Sequence, residues 1–175
     1  MKSLFFAILI ILGGTTAASA EEMKIYVGGG LGNASVNGTD NVSTSSNVSF
    51  NLMAGLEINP NFSFELAFLN LGSVTNSGSS ASTLGMSGTV VGLLPLPDNF
   101  DLFAKFGLAG LQTGWPAPLE SESKTSLTGG AGIQLDFSPR ASARLTYDRY
   151  QFGVDSTTTG NFDVVTLGLI YRLSQ

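Results

Sequence analysis

The side chains that could carry chemistry in this chain are almost all carboxylates. Its 175 residues include 13 Asp and Glu and eight Lys and Arg, but neither His nor Cys. Without imidazole the chain lacks the usual general base near neutral pH, and without imidazole or thiolate it lacks the usual zinc ligands. Four carboxylates could attract divalent cations weakly: Asp40, Glu120, Glu122 and Asp155. We therefore expect no enzymatic activity, no cofactor and no tightly bound metal.

Charge and composition narrow the class of protein further. The formal net charge is −5 at pH 7, and such a surface repels a phosphate backbone, so we expect no nucleic-acid partner. Only 12% of the residues are charged, whereas 43% are hydrophobic and 22 are glycine. Because the hydrophobic residues alternate regularly with polar and small ones, the chain is not disordered and an all-β fold is indicated.

This alternation is clearest in two segments. Residues 48–58 have an apolar side chain at every even position, and residues 165–173 have one at every odd position. A period of two is typical of a β-strand with one apolar face. The opposite parity carries mostly polar or small residues, including Glu57 and Arg172. The charged side chains of the strands are therefore predicted to share one face.

Eight segments show the pattern, each about long enough to cross a bilayer as a tilted strand. The fourth is the least regular, because Val91 and Leu93 share the parity of Ser87 and Thr89. The predicted strands are 24–34, 48–58, 62–71, 84–94, 101–111, 127–137, 141–150 and 165–173.

The connections between these segments are of two kinds, in strict alternation. Three are short and contain proline: 59–61, 95–99 and 138–140. Four are long and rich in Ser, Thr, Asn and Gly: 35–47, 72–83, 112–126 and 151–161. Short periplasmic turns and long outer loops are typical of bacterial barrels. The sequence thus predicts an eight-stranded antiparallel up-and-down transmembrane β-barrel.

A soluble lipocalin-like barrel is the main alternative, and it would reverse the two faces. Its interior would be apolar and its exterior polar. In this chain the parity that carries Glu57, Lys105, Arg144 and Arg172 also carries the small residues that fit inside a narrow barrel. We therefore expect the apolar parity to face lipid.

The first twenty residues have the pattern of a secretory signal peptide. Lys2 precedes the apolar run 4–12, and Ala18-Ser19-Ala20 provides the small-x-small pattern of a cleavage site. Nine apolar residues are too few to cross a bilayer as a helix. We therefore divide the chain into a cleaved signal peptide, 1–20, and a barrel domain, 21–175, exported without disulfides.

The mature sequence resembles the small β-barrel family typified by the transmembrane domain of outer membrane protein A and by the opacity-type surface antigens. The resemblance rests on the order and spacing of five segments: 26–32, 64–68, 130–134, 143–147 and 166–173. It implies an integral protein of the bacterial outer membrane. Larger members continue into a peptidoglycan-binding domain, which we do not expect here.

The resemblance also implies an ionic cluster that closes the lumen. Glu57 and Arg144 fall at two of its positions, while the other two read Val91 and Gln134. We therefore expect a Glu57–Arg144 pair assisted by Gln134. Inward parity suggests a second pair, Lys105 with Glu65, at another level. Such a cluster could gate a small pore, but we favour polar core packing because eight strands leave room only for side chains.

Residues 166–173 also resemble the signal by which the barrel-assembly machinery recognises its clients. Thr166, Gly168, Tyr171 and Leu173 occupy its polar, glycine and hydrophobic positions. The resemblance implies that this machinery is a partner of the chain during assembly.

Two functional hypotheses follow. In the first, a monomeric barrel is anchored by outer-membrane lipids and its four long loops meet an extracellular ligand or lipopolysaccharide, as in an adhesin or antigen. Trp115, in the third long loop, is then a candidate contact residue. In the second, the barrel is a small porin or a conduit for small or hydrophobic solutes.

Overall fold

The computed structural model describes residues 23–37, 46–76, 79–114, 122–153 and 159–173. Within these ranges no helix is long and apolar enough to cross a membrane. The chain forms eight strands: β1 (Lys24–Asn37), β2 (Ser46–Asn59), β3 (Phe62–Asn76), β4 (Ser79–Pro95), β5 (Phe100–Gly114), β6 (Glu122–Asp136), β7 (Ala141–Gly153) and β8 (Thr159–Arg172). The number and order of strands predicted from the sequence are confirmed.

The strands close into a barrel in which every strand is antiparallel to both neighbours. The strand order follows the chain from β1 to β8, and β8 pairs with β1 to complete the sheet. At the closing seam Gly29 lies opposite Leu169, and Leu31 lies opposite Leu167. Closure leaves no unpaired edge, so the ladder satisfies its own backbone groups without water.

The apolar parity faces outward, as predicted. Leu31 and Leu167 are 69% and 66% exposed, and similarly exposed side chains occur on all eight strands. The register of the fourth strand is also confirmed, since Val90 is exposed whereas Val91 is completely buried. The lipocalin alternative is therefore wrong: the exterior is apolar.

The strands extend further toward the long connections than their alternation predicts. The largest correction concerns residues 72–83, predicted as a long loop, because β3 ends at Asn76 and β4 begins at Ser79, with these two residues paired. Polar residues on both faces give no period of two, yet their backbones still pair. A bulge interrupts the β3–β4 ladder near Gly72, whose φ of +79° favours glycine.

The three short turns are held by local hydrogen bonds. The Asn59 side-chain oxygen accepts hydrogen bonds from the backbone N–H groups of Asn61 and Phe62, both at 2.9 Å. Asp98 and Asn99 both have φ near +65°, a conformation that their side chains tolerate well. In the third turn the Ser138 hydroxyl accepts a hydrogen bond from the Ala141 N–H at 2.9 Å. These turns fix the pairing of consecutive strands at one end of the barrel.

The interior differs between its two ends, and it contains more large apolar side chains than the expectation of a mostly polar and small-residue lumen implied. The half near the short turns contains the charged residues. The half near the long connections is packed with buried apolar side chains: Ala34, Val36, Leu69, Leu71, Leu111, Tyr150, Phe162 and Val164. These residues have the predicted inward parity, and they form one hydrophobic cluster with side chains nearer the charges, such as Tyr26, Met53 and Ile170. Buried polar side chains, among them Ser49 and Thr83, also lie in this half.

Candidate functional site

The charged layer of the lumen is built by strands from opposite walls of the barrel. Glu65 lies on β3, Lys105 on β5, Gln134 on β6, and Arg144 and Asp148 on β7. All five have inward parity, so their side chains converge on the barrel axis. We call these five residues the central cluster.

Arg144 lies at the middle of the central cluster. Its Nη1 is 2.6 Å from Glu65 Oε2, and its Nε and Nη2 donate to Gln134 Oε1 at 3.2 and 2.9 Å. The guanidinium carbon is 4.6 Å from the centroid of the Phe103 ring and 5.9 Å from that of Tyr26, within cation–π range. Polar and aromatic partners together replace the water that the guanidinium loses on burial.

Lys105 supplies the second cation of the cluster. Its Nζ is 3.1 Å from Asp148 Oδ1 and 3.6 Å from Glu65 Oε1. The Tyr26 hydroxyl donates a 3.0 Å hydrogen bond to Glu65 Oε2. The central cluster therefore places two cations against two carboxylates, and its four charged side chains are at most 7% exposed.

A second charged layer lies closer to the short turns, at the mouth of the barrel. Arg172 donates from Nε to Glu57 Oε1 at 2.9 Å and from Nη1 to the Ser142 hydroxyl at 2.9 Å. Its Nη2 is 3.3 Å from Asp136 Oδ2. Gln134 joins the two layers, because its Nε2 donates to Asp136 Oδ1 at 2.9 Å while its oxygen accepts from Arg144.

The predicted Glu57–Arg144 pair is not formed: Glu57 pairs with Arg172, and Arg144 pairs with Glu65. The register explains the difference. Glu65 is opposite Gly55, whereas Glu57 is opposite Ser63 and lies nearer the turn. A Cβ at Gly55 would overlap the Tyr26 ring, so glycine here leaves space for the tyrosine that bonds Glu65.

The predicted lumen residues Glu65, Gln134, Lys105 and Arg144 are thus brought together, and the Lys105–Glu65 contact is present at 3.6 Å. Sequence reasoning placed Arg172 inside the barrel but did not include it in the network. It also left Asp148, Asp136 and Tyr26 out of the network, although their inward parity was available as a signal.

The remaining predicted residues lie elsewhere. Thr166 and Gly168 face inward on β8, Tyr171 faces outward, and Leu173 follows the strand and donates its N–H to the Ile25 carbonyl at 2.8 Å. Trp115 and the predicted signal peptide lie outside the described residues, as do Asp40, Glu120 and Asp155. Glu122 is the first residue of β6.

An exposed ion pair lies on the outer face near the long connections. Arg149 Nε is 2.6 Å from Asp163 Oδ1, and its Nη2 donates to Asp163 Oδ2 at 3.0 Å and to the Tyr147 hydroxyl at 3.1 Å. Charged residues and tyrosine together are typical of the interface where an apolar belt ends.

The polar groups of the central cluster are directed at one another rather than at an open space. Within the described part of the chain, no group of three or more acidic ligands could hold a metal ion. Tyr26, Val91 and Phe103 are almost fully buried beside the charges. The arrangement is chemically suited to sealing the lumen.

Comparison with known proteins agrees with the barrel fold. The sequence profile of the outer membrane protein beta-barrel domain family matches residues 4–172, and a search of curated proteins found no match. Ail of Yersinia pestis, solved with the heparin analogue sucrose octasulfate, is 20% identical, with a TM-score of 0.63 over 87% of this chain and 99% of that chain. Neisserial surface protein A is 13% identical, with a TM-score of 0.70 over 84% and 96%. OprG from Pseudomonas aeruginosa is 10% identical, with a TM-score of 0.58 over 87% and 97%.

Proposed function

The chain belongs to the outer membrane protein beta-barrel domain family, and we propose that its barrel is a rigid anchor for surface segments that bind partners outside the cell. The single observation that carries this proposal is the closed central cluster. Its cations and carboxylates span the lumen and contact one another directly. A sealed lumen leaves the outer rim as the surface available for interaction.

The proposed orientation places the three short turns in the periplasm and the other connections outside. The signal peptide, 1–20, would direct export, and the barrel-assembly machinery would insert the chain through its C-terminal strand. In the membrane the apolar outer face would contact lipid and lipopolysaccharide as a monomer. We propose no enzymatic activity, because the charged side chains of the central cluster are paired with one another.

The charge of the outer segments constrains the ligand. Ail was solved with a polyanionic sugar, but the corresponding parts of this chain carry more acids than bases. In the sequence, the four long connections contain one basic residue, Lys124, and four acidic residues, Asp40, Glu120, Glu122 and Asp155. An acidic rim repels a polyanion at short range. We therefore propose a neutral or basic partner, and not a sulfated polysaccharide.

Removal of the connection between β5 and β6 tests the surface role. We expect replacement of residues 114–121 by an Asn-Gly turn, which would directly join the paired residues Thr113 and Glu122, to abolish adhesion of cells displaying the protein to cultured epithelial cells or immobilised matrix proteins. The heat-modifiable gel shift of the folded barrel should not change, because two-residue turns of this type join antiparallel strands without strain.

The control is Pro60→Ala, in an exposed short turn that faces the periplasm in this orientation. This variant should adhere as the wild type does. Full adhesion by the shortened variant, or an equal loss in both variants, would contradict a role for the outer segment.

A conduit for apolar solutes is a second candidate, favoured by the apolar packing of the loop-side lumen. Planar-bilayer recording and uptake of a hydrophobic dye by vesicles distinguish the two. For a surface-interaction protein we expect neither steady unitary currents nor faster dye uptake. Steady channels that widen in Arg144→Ala, or dye uptake that increases with protein, would favour the conduit.

A further inference from the structure

The sheet of the barrel divides at its end near the long connections. Within the described residues, the β2–β3 ladder ends where Phe50 lies opposite Asn70, although β3 continues beyond this pair. The β6–β7 ladder ends where Thr128 lies opposite Tyr150, although β6 extends beyond it. The three ladders between these points continue further, to the pairs Asn76–Ser79, Ser82–Gly114 and Thr113–Glu122. The ends of β3, β4, β5 and β6 therefore extend past the closed barrel as one sheet, which we call the outer sheet.

A bulge at Gly72 separates β3 from β2. The Gly72 N–H donates to the Asn70 side-chain oxygen at 2.9 Å, and the β3–β4 register shifts at the same place. A Cβ at Gly72 would lie 2.7 Å from the Asn47 Cβ and 3.0 Å from the Val48 carbonyl oxygen, so β2 is still adjacent here. Because a bulge bends its strand, β3 turns away from β2 at this point. Residues 73–76 then pair with β4, on one side only, among the described residues.

The edge that residues 73–76 present on the side of β2 has no protection against pairing. These residues are Ser, Val, Thr and Asn, and the chain has no charged residue between Glu65 and Asp98. Proline is also absent from the segment. Exposed edge strands usually carry charged side chains or proline, which prevent a further strand from adding to the sheet. We call residues 73–76 the open edge.

The opposite edge of the outer sheet is protected. It belongs to β6, where Glu122 and Lys124 place charges along the strand. Two hydroxyl groups also attach this strand to β7: Ser126 donates to the Gln151 carbonyl, and Thr128 donates to the Arg149 carbonyl at 3.0 Å. These bonds occupy carbonyls of β7 near the point where the ladder ends. The two edges of one sheet therefore differ, and strand addition is favoured only at β3.

Two residues of the open edge direct their backbone groups outward. In an antiparallel ladder, pairs that exchange two hydrogen bonds alternate with pairs that exchange none. The Asn76–Ser79 pair is separated by only two residues, so it is of the first kind, and so is the pair formed by Val74. Ser73 and Thr75 therefore point their N–H and C=O groups away from β4. They offer two donors and two acceptors to an added strand.

We propose that the open edge binds an extended segment of an extracellular protein by β-strand addition. This inference rests on the proposed surface role and names the kind of partner. Four residues of strand span about 13 Å, which matches one short extended segment. Because the edge has no charge, its affinity comes from main-chain hydrogen bonds. The occupant is then an uncharged segment without proline at the paired positions.

Thr75→Pro tests the edge, because proline removes one of its N–H groups and leaves the bonds between β3 and β4. Adhesion of cells displaying this variant to a monolayer of cultured epithelial cells should fall about tenfold. This is the loss expected when one interstrand hydrogen bond is removed and its acceptor in the partner is left unpaired. The matched control is Thr75→Val, which changes the side chain but keeps the N–H, and it should adhere as the wild type does. The heat-modifiable gel shift should show that both variants fold.

Amide hydrogen exchange of the protein in lipid nanodiscs, followed by NMR, tests the edge without a partner. The Ser73 and Thr75 amides should exchange faster than those of Val74 and Asn76, which are bonded to β4. Protection of all four amides would show that another segment of the same chain already covers the edge, and it would overturn the proposal.

Three further results would overturn it: full adhesion by Thr75→Pro, equal loss in Thr75→Val, or an oligomer of the protein that Thr75→Pro dissociates. The last would make a second copy the occupant. Failure here is distinguishable from failure of the surface role. Loss of adhesion on replacement of residues 114–121, with full adhesion by Thr75→Pro, would contradict strand addition alone.

Discussion

Replacement of Leu167 with arginine is expected to lower the free energy of unfolding by about 2–4 kcal/mol, the cost of a cation on the lipid face at the bilayer midplane. Leu167 is 66% exposed on β8, opposite Leu31 on β1 and Leu145 on β7, which also face outward. Neither of these leucines could pair with the guanidinium that the substitution introduces. The loss can be measured by urea titration of the protein folded into lipid vesicles, followed by circular dichroism and gel mobility.

The matched control is Gln112→Arg. Gln112 also faces outward, but it is polar and lies near the loop-side end of β5, where the same charge should cost about 0–1 kcal/mol because it reaches the interface. Equal costs at the two positions would mean that Leu167 does not contact the hydrocarbon core.

Replacement of Arg144 with methionine is expected to lower the free energy of unfolding by about 3–5 kcal/mol, which is the penalty of removing one partner from a buried ion pair. Methionine approximates the length of the aliphatic stem but removes the contacts with Glu65 and Gln134. Glu65 would keep Lys105 at 3.6 Å and the Tyr26 hydroxyl at 3.0 Å, which only partly compensate a buried carboxylate. The same urea titration measures the loss.

Second-site variants test the pairing itself. Adding Glu65→Gln to Arg144→Met should restore part of the lost stability, because it removes the uncompensated carboxylate. Glu57→Gln should restore little, since Glu57 pairs with Arg172. Arg149→Met, at an exposed position, should have nearly the same free energy of unfolding as the wild type, because solvent screens the pair of Arg149 with Asp163. Stronger coupling of Arg144 with Glu57 than with Glu65 would contradict the observed network.

The sequence predicts the strands wherever one face is apolar and the other is not. Residues 48–58 illustrate this, since all of them lie in β2 and their parity agrees with the observed exposure. The same rule placed Val91 inside the barrel despite its hydrophobicity, because its neighbours Val90 and Leu94 had the outward parity. Alternation shows which side chains point inward, because one face of a strand in a closed sheet lies in the interior and the other on the exterior.

The sequence does not determine which inward charges meet. Glu57 and Glu65 have the same parity, and the choice of Arg144 between them depends on the relative stagger of β2, β3 and β7. Stagger accumulates around the barrel, so a local pattern cannot fix it. The strands were predicted too short at the ends near the long connections for a different reason. Residues 73–76 and 79–82 are mostly polar on both faces, so they show no alternation.

The division of the lumen into a charged half and an apolar half also escaped sequence analysis. Leu69, Leu111 and Phe162 have inward parity and lie next to predicted long connections, so the signal that they share one end of the barrel was available but was not used. This apolar packing above the central cluster supports an anchor over a small aqueous pore, because water and ions would have to cross both layers.

Fluorescence quenching by brominated lipid tests most directly which parity faces the membrane. In a Trp115→Phe background, which removes the chain's one tryptophan, Phe106→Trp and Phe103→Trp place a reporter on opposite faces of β5, where the phenylalanines are 61% and 2% exposed. Brominated acyl chains should strongly quench the reporter in Phe106→Trp and leave that in Phe103→Trp nearly unquenched. Equal quenching of the two, or stronger quenching in Phe103→Trp, would contradict an apolar exterior in contact with lipid.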